Sequence, residues 1–276
     1  MRIACSVRGH ILNTTETVNT PSSYAEGVKL FADVARRVSK KSAVLGDTHV
    51  TAVVGGIAGP LDHEKTKLIG GANLSHWVGQ PFADDVSRAL HAPVFLQNDA
   101  ALVALGEATH GAGRHFSIVM YMTVSTGVGG ARIVNKKIDE ASVGFEPGNQ
   151  IVDVDHTLMP GVAGVTLQDY ISGAALAERT GKKPRDIHDQ VMWDDVARVL
   201  AIGLNNTIVH WSPDVVVLGG SMITGHPGIS VEATARYLSE FLKVYPVLPA
   251  IKKAELADEG GLYGALEYAQ TKKVLG

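Results

Sequence analysis

The sequence predicts an α/β protein, and three observations carry the prediction. Short β-branched and apolar runs alternate along the chain with segments of helical periodicity. Four glycine-rich stretches, at 55–59, 125–130, 219–221 and 260–264, stand at the ends of strand-like runs, where α/β sheets bind ligands. The 276 residues exceed what one small core takes, so one long α/β domain or two closely joined lobes is implied. Hydrophobic residues make up 45% of the chain and charged residues 19%, with no low-complexity tract, no tandem repeat and no Pro- or Ser-rich linker, so a substantial core is available.

The elements come in order along the chain. Residues 2–7 and 11–19 read as two strands joined near Arg8-Gly9-His10, the second carrying Thr14, Thr15, Thr17 and Val18. Pro21-Ser22-Ser23 is a helix start, after which Val28, Phe31, Ala32, Ala35 and Val38 recur at helical spacing for about four turns. Residues 50–54 read as a buried strand running into Gly55-Gly56-Ile57-Ala58-Gly59-Pro60. Pro81 opens a helix whose Phe82, Val86, Ala89 and Leu90 share a face. A short strand at 93–96 ends in Gln97-Asn98-Asp99, and "AALVALGEATHG" reads as a helix closed by Gly111. Two strands between 116 and 134 flank a glycine loop, and an irregular region covers 139–166. Helices resume over "LQDYISGAALAERTG" and "WDDVARVLAIGLNNTIVHW". Ser212-Pro213 stops the last of these, 214–218 is a strand that delivers Gly219-Gly220-Ser221, and "DEGGLYGALEYAQ" gives a final glycine turn and helix.

Charge and composition bound the function. A formal net charge of −3 argues against a broad basic surface, so neither nucleic acid nor membrane is a predicted partner. The start "MRIACSVRGHIL" lacks the continuous apolar segment of a secretory signal, no later stretch is long and apolar enough to span a bilayer, and a cytoplasmic enzyme is the default. Cys5 is the only cysteine, which rules out an intrachain disulfide and a multi-cysteine metal site. It alternates with apolar neighbours and reads as a small core residue rather than a nucleophile.

Two places carry chemistry. Ser125-Thr126-Gly127-Val128-Gly129-Gly130 puts three glycines and two hydroxyls at a strand-to-strand turn, which suits either a phosphate cradle of open amides or an ordinary tight hairpin. Asp99 ends an apolar strand beside Asn98 and precedes a helix. There it is either a general base held in fixed orientation or the cap of a helix beginning at Ala100. No GxGxxG comes after the first strand and no GxxxxGK[ST] occurs, so neither a dinucleotide-binding Rossmann site nor a Walker loop is supported.

"GIAGPLD", "ANLSHWVGQPF", "QNDAALVALGEATHGAG", "MTVSTGVGGARIVNKKI" and "VVVLGGSM" occur in the order and spacing of the ROK sugar kinases, and the resemblance covers nearly the whole chain. It implies the two-lobed ribonuclease-H-like fold of the actin/hexokinase-like ATPases, with ATP and sugar in the cleft. The small lobe would span 1–104 and be joined by a C-terminal helix at 258–276; the large lobe would span 105–257. The resemblance makes Asp99 the base that takes a proton from a sugar hydroxyl. It makes Asn73, Asn98 and Glu146 sugar ligands. Ser125, Thr126, Gly127 and Gly129 fall in the second phosphate loop, and Gly219 and Gly220 in the adenosine site. It further implies ATP and Mg²⁺ as cofactors, a small-molecule sugar as substrate and a homo-oligomer, a dimer, as the assembly. The alternative within the same family is a sugar-binding regulatory protein or degenerate kinase without turnover.

The chain departs from the family's pattern at several places. The pattern begins with a strand ending in Asp-x-Gly-Gly-Thr, the first phosphate loop, and Met1-Arg2-Ile3-Ala4 resembles the residues just after that loop. The expectation is that the natural protein starts earlier by about ten residues, the length of one strand with its loop, and that this chain is impaired without them. The family's zinc-binding His and three Cys correspond to 149–168, where this chain has Asn149 and no cysteine, so no structural zinc is predicted. Asn149 also stands at a sugar-contacting His, Gln168 stands at a family Glu, and His76 stands where Gly is common. These changes imply a sugar pocket of altered shape and charge. Trp77, Trp193 and Trp211 read as packing residues rather than stacking platforms.

Overall fold

A computed structural model describes residues 1–7, 9, 12–43, 49–71 and 74–272. The chain divides into two units, one formed by Met1–Gly106, Glu140–Gly144 and Glu259–Gly276, the other by Glu107–Asp139 and Phe145–Asp258.

The first unit opens with β1 (Arg2–Cys5) antiparallel to β2 (Thr14–Thr17), Arg2 opposite Thr17 and Cys5 opposite Thr14. Both strands are shorter than the sequence suggests, because Asn13 replaces the ladder with turn chemistry. Its amide donates to the Cys5 carbonyl at 2.8 Å and its side chain accepts the Val7 amide at 2.9 Å. Cys5 is half-buried against Ile3, Val34 and Val38. In α1 (Tyr24–Ser42) the Ser23 hydroxyl caps the Glu26 amide; the helix runs 19 residues, more than five turns rather than four, with Lys40 and Lys41 favourably placed in its last turn.

Next, β3 (Val53–Ile57) pairs in parallel with β4 (Val94–Asn98) across a connection that contains α2 (Phe82–Leu90). The third strand begins later than the predicted 50–54 and absorbs Gly55 and Gly56, because the parallel register sets Val53 opposite Val94 and Ile57 opposite Asn98. Trp77 is core, as its sequence context suggests: it is 3% exposed, 5.6 Å edge-on from Tyr24 and 5.4 Å from Phe82. The next helix, α3 (Asp99–Thr109), leaves β4 without an intervening loop. It ends before Gly111, whose backbone is not left-handed. A Cβ at Gly111 would overlap the carboxylate of Glu107, which is fully buried and accepts the amides of Ala112, Glu255 and Leu256.

The second unit is built on one sheet. Its strands are β5 (Ile118–Val124), β6 (Val128–Val134), β7 (Lys137–Ile138), then β8 (Val215–Gly219) and β9 (Ala250–Lys253), in the order β7-β6-β5-β8-β9. The hairpin β5–β6 is antiparallel, while β5, β8 and β9 run parallel. Every residue of β8 is buried, as an unalternating VVVLG run requires. The helix predicted over "LQDYISGAALAERTG" is two, α4 (Leu167–Ile171) and α5 (Gly173–Thr180). Ser172 takes extended backbone between them and its hydroxyl accepts the Ala175 amide. The long α6 (Gln190–Trp211) stops at Ser212, which adopts φ 46°, and buries Trp193. Beyond β8 come the short α7 (Ser221–Thr224) and α8 (Val231–Phe241). The sequence pattern predicts neither α8 nor β9, although Ser230 caps Ala233. The last helix, α9 (Gly260–Thr271), belongs to the first unit and crosses α3 at backbone contact: a Cβ on Gly264 would overlap the Leu102 carbonyl.

Candidate functional site

One group of candidate residues lies in the first unit. At the end of β4 the Asn98 side-chain oxygen accepts the Ala101 amide at 3.2 Å, and its Nδ2 donates to the Gly59 carbonyl at 3.2 Å. Asn98 therefore caps α3, the role that the sequence left open for Asp99. Asp99 opens the helix instead. Its carboxylate accepts the adjacent Ala100 amide at 2.9 Å and is reached by solvent. The protein packed around it raises its pKa above the ordinary 3.8, against the lowering effect of its backbone hydrogen bonds. Gly56 makes room for this corner, since a Cβ there would lie 2.9 Å from the Asp99 Cα. Asn73 lies outside the described residues.

The glycine turn lies in the second unit, and the structure shows that much of its backbone is approached by the chain itself. Gly130 is needed because a Cβ would lie 2.5 Å from the Tyr121 carbonyl and 2.9 Å from Pro147. Gly148 likewise sits on the Val128 carbonyl. The Glu146-Pro147-Gly148-Asn149 turn is thus laid directly on β6. The start of α5 closes on the other side: Gly173 and Ala174 donate their amides to the carbonyls of Ser125 and Thr126 at 2.7 and 3.1 Å. The Ser125 and Ser221 hydroxyls stand 3.1 Å apart, and Gly220, at φ +87°, tucks against the Val124 carbonyl where a side chain would be both strained and blocked. Gly219 packs under the Tyr121 hydroxyl, and Gly129 is a ladder residue opposite Thr123.

The tip of the turn stays open. The nearest atom to a Cβ on Gly127 is the Gln168 Oε1 at 3.7 Å. The Thr126 and Gly127 amides find no acceptor among the described residues, so the turn fits the oxygens of a polyphosphate. Beside it runs a polar chain: Gln168 Nε2 donates to Asn149 Oδ1 at 2.9 Å and Asn149 Nδ2 to Glu146 Oε2 at 3.4 Å. The structure therefore brings Glu146, Asn149, Gln168 and the tip of the glycine turn into one neighbourhood. The sequence analysis names the 219–221 stretch but gives Ser221 no place at the turn, and it does not bring the Ser172-Gly173 start of α5 there; the Ser-Gly pair inside "YISGAA" is the local signal for the latter. Among the described residues no three His, Cys, Asp or Glu side chains are grouped so that they could hold a metal ion.

Residues 2–272 match the family model described as ROK family. An N-acetyl-D-glucosamine kinase from Escherichia coli O127:H6 is 28% identical over 285 residues, 93% of this chain and 91% of that protein. An N-acetyl-D-glucosamine kinase from Shigella flexneri serotype 5b is 30% identical over 76% of this chain and 77% of its own length. Among solved structures, a ROK hexokinase from Thermus thermophilus superposes with a TM-score of 0.83 at 27% identity, covering 99% of this chain and 96% of that one.

Proposed function

The chain belongs to the ROK family, and on that premise we propose that it is an ATP-dependent sugar kinase, transferring the γ-phosphoryl group to a hydroxyl of a hexose or amino sugar. The fold is that of the actin/hexokinase-like ATPases. The two relatives compared above are N-acetyl-D-glucosamine kinases, which supports an N-acetylated amino sugar as the acceptor. One observation carries the chemistry: Asn98 takes over the helix cap, leaving at Asp99 a solvent-reached carboxylate whose pKa is raised, suited to receiving a proton.

In this reading Asp99 accepts the proton of the attacking sugar hydroxyl, while Asn73, Asn98, Glu146, Asn149 and Gln168 orient the sugar. Thr126 and Gly127 offer amides and Ser125 a hydroxyl to the phosphates, Gly129 holds the hairpin beneath them, and Gly219 and Gly220 leave space for adenosine. Mg²⁺ accompanying ATP would neutralise the triphosphate. Residues 1–104 with 258–276 and residues 105–257 serve as the two functional lobes. No structural zinc is required, since Cys5 is the sole cysteine and amides occupy 149 and 168. We place the enzyme in the cytoplasm as a homodimer; none of the described helices is long and apolar enough to cross a membrane.

The test is sugar-dependent ADP release with Mg²⁺-ATP over a panel of hexoses and N-acetylated amino sugars, on the chain and on Asp99→Asn. Turnover that names one sugar and is lost in the variant establishes the reading. Sugar binding without turnover, unchanged by Asp99→Asn, would replace it with a non-catalytic sugar-binding role.

A further inference from the structure

Asn149 and Gln168 are separated by a long irregular segment that is nonetheless tied at its base. Leu167 donates to the Gln150 carbonyl at 2.9 Å, Val152 donates to the Val165 carbonyl at 2.9 Å, and Ile151 bridges Thr166. Within the segment one carboxylate does the holding. Asp153 is 6% exposed, and its Oδ2 accepts both the Leu158 amide at 2.8 Å and the Tyr170 hydroxyl at 2.7 Å.

Tyr170 is wholly buried and lies two residues beyond Gln168 on α4, a helix of only five residues. So short a helix has little rigidity of its own, and its rotation is set by what grips it. The Thr166–Asp169 capping box fixes its first turn, and Arg179 reaches the Tyr170 carbonyl at 3.4 Å. Only Asp153 among the described residues grips the far end of the Tyr170 side chain. Removing that acceptor leaves a buried phenol and the Leu158 amide unpaired, which favours a shift of the helix or of the loop.

We propose that Asp153 is a positioning residue for the acceptor-sugar site, fixing α4 through Tyr170 and thereby the Gln168–Asn149 amide pair. Asp153 has no hydrogen bond to Asn98, Glu146, Asn149 or Gln168, the described sugar-orienting residues, and acts through this relay. It replaces a loose loop with a carboxylate that accepts from the loop and the helix together, a directional constraint that an apolar side chain of the same size would not impose. The inference rests on the kinase reading, which makes Asn149 and Gln168 sugar-orienting residues.

The test uses Asp153→Ala, which removes the acceptor, and Tyr170→Phe, which removes the donor, beside the unaltered protein, with two readouts. Hydrogen–deuterium exchange is followed on peptides from 147–171 and, as an internal reference, on the β5–β6 hairpin. Steady-state kinetics give separate KM values for sugar and for ATP. Both variants are expected to speed exchange in 147–171 and leave the hairpin unchanged. They should raise the sugar KM about tenfold, the scale on which small misplacements act. The KM for ATP and kcat should stay within about twofold, the pattern of lost substrate positioning rather than a lost active fraction. Faster exchange with an unaltered sugar KM overturns the proposal in favour of a structural role alone, and unaltered exchange overturns it outright. If the unaltered protein phosphorylates no sugar in the panel, the kinase reading falls and with it the assignment of a sugar site for Asp153 to position.

Discussion

Five strands of the second unit share a single sheet and β8 is buried at all five residues, whereas the described strands of the first unit form two separate pairs and β3 buries only Ile57 fully. The two units are therefore held by different means. In the second, a central strand covered on both faces gathers Met120, Met122, Val216 and Leu218 with α4, α6 and α8 into one core. In the first, an aromatic group of Tyr24, Phe31, Trp77 and Phe82 and a helix crossing at backbone distance do that work. The polar groups differ as well: the first unit carries the Asp99 carboxylate just after β4, and the second carries open amides at its glycine turn beside a polar chain that ends on the Glu146 carboxylate. Sheet extent and chemical role are thus independent, and substitutions placed in each unit test the contrast.

The largest effect is expected at Asp99. Asp99→Asn should lower kcat by about a thousandfold, within the usual range for a general base, while calorimetric sugar binding persists. A variant that turns over normally would move the chemistry away from the first unit. Next comes the helix crossing. Gly264→Ala should cost about 3 kcal/mol in chemical denaturation, since its Cβ overlaps the Leu102 carbonyl, whereas Gly55→Ala, with nothing within 4 Å of its Cβ, should be close to neutral.

A smaller contrast separates the sheets themselves. Val216→Ala in β8 should destabilise by about 2 kcal/mol and Val53→Ala in β3 by about 1 kcal/mol, because only the former is fully enclosed. Equal losses would show that the paired strands of the first unit are as well packed as the sheet of the second.

The smallest effect concerns charge. Asp99 has its pKa raised in the folded protein, chiefly by the surrounding protein mass, so folding favours its protonated form and stability falls as pH rises from the ordinary 3.8 through the folded value. Asp99→Asn removes that loss, and its Tm should exceed that of the unaltered protein at neutral pH and converge with it in acid. The same change is thus expected to raise stability while lowering turnover about a thousandfold, and a lower Tm at neutral pH would mean that the carboxylate contributes to holding α3.

The sequence was most legible where the deciding atoms are close along the chain. Ser23 capping α1, the unbroken VVVLG of β8 and the stop at Ser212 were all readable within a few residues. It was least legible at Gly111, which looks like a helix terminator and instead yields space to Glu107, and at Ser172, where a cap divides what reads as one helix. The segment containing α8 and β9 was illegible because its amphipathic pattern is short and its strand lies at an edge of the sheet.

By itself, then, the sequence determined the α/β class, the principal strands and helices and the family, since periodicity, capping and recurrent motifs are local properties of the chain. The tertiary structure alone decided that Asn98 rather than Asp99 caps α3 and that Pro147 and the start of α5 occupy most of the backbone the glycines open. It also decided that Gln168 meets Asn149 and that Asp153 grips Tyr170. Each of these depends on which distant segments share a surface, and that is fixed by sheet register and core packing rather than by any residue's neighbours in sequence.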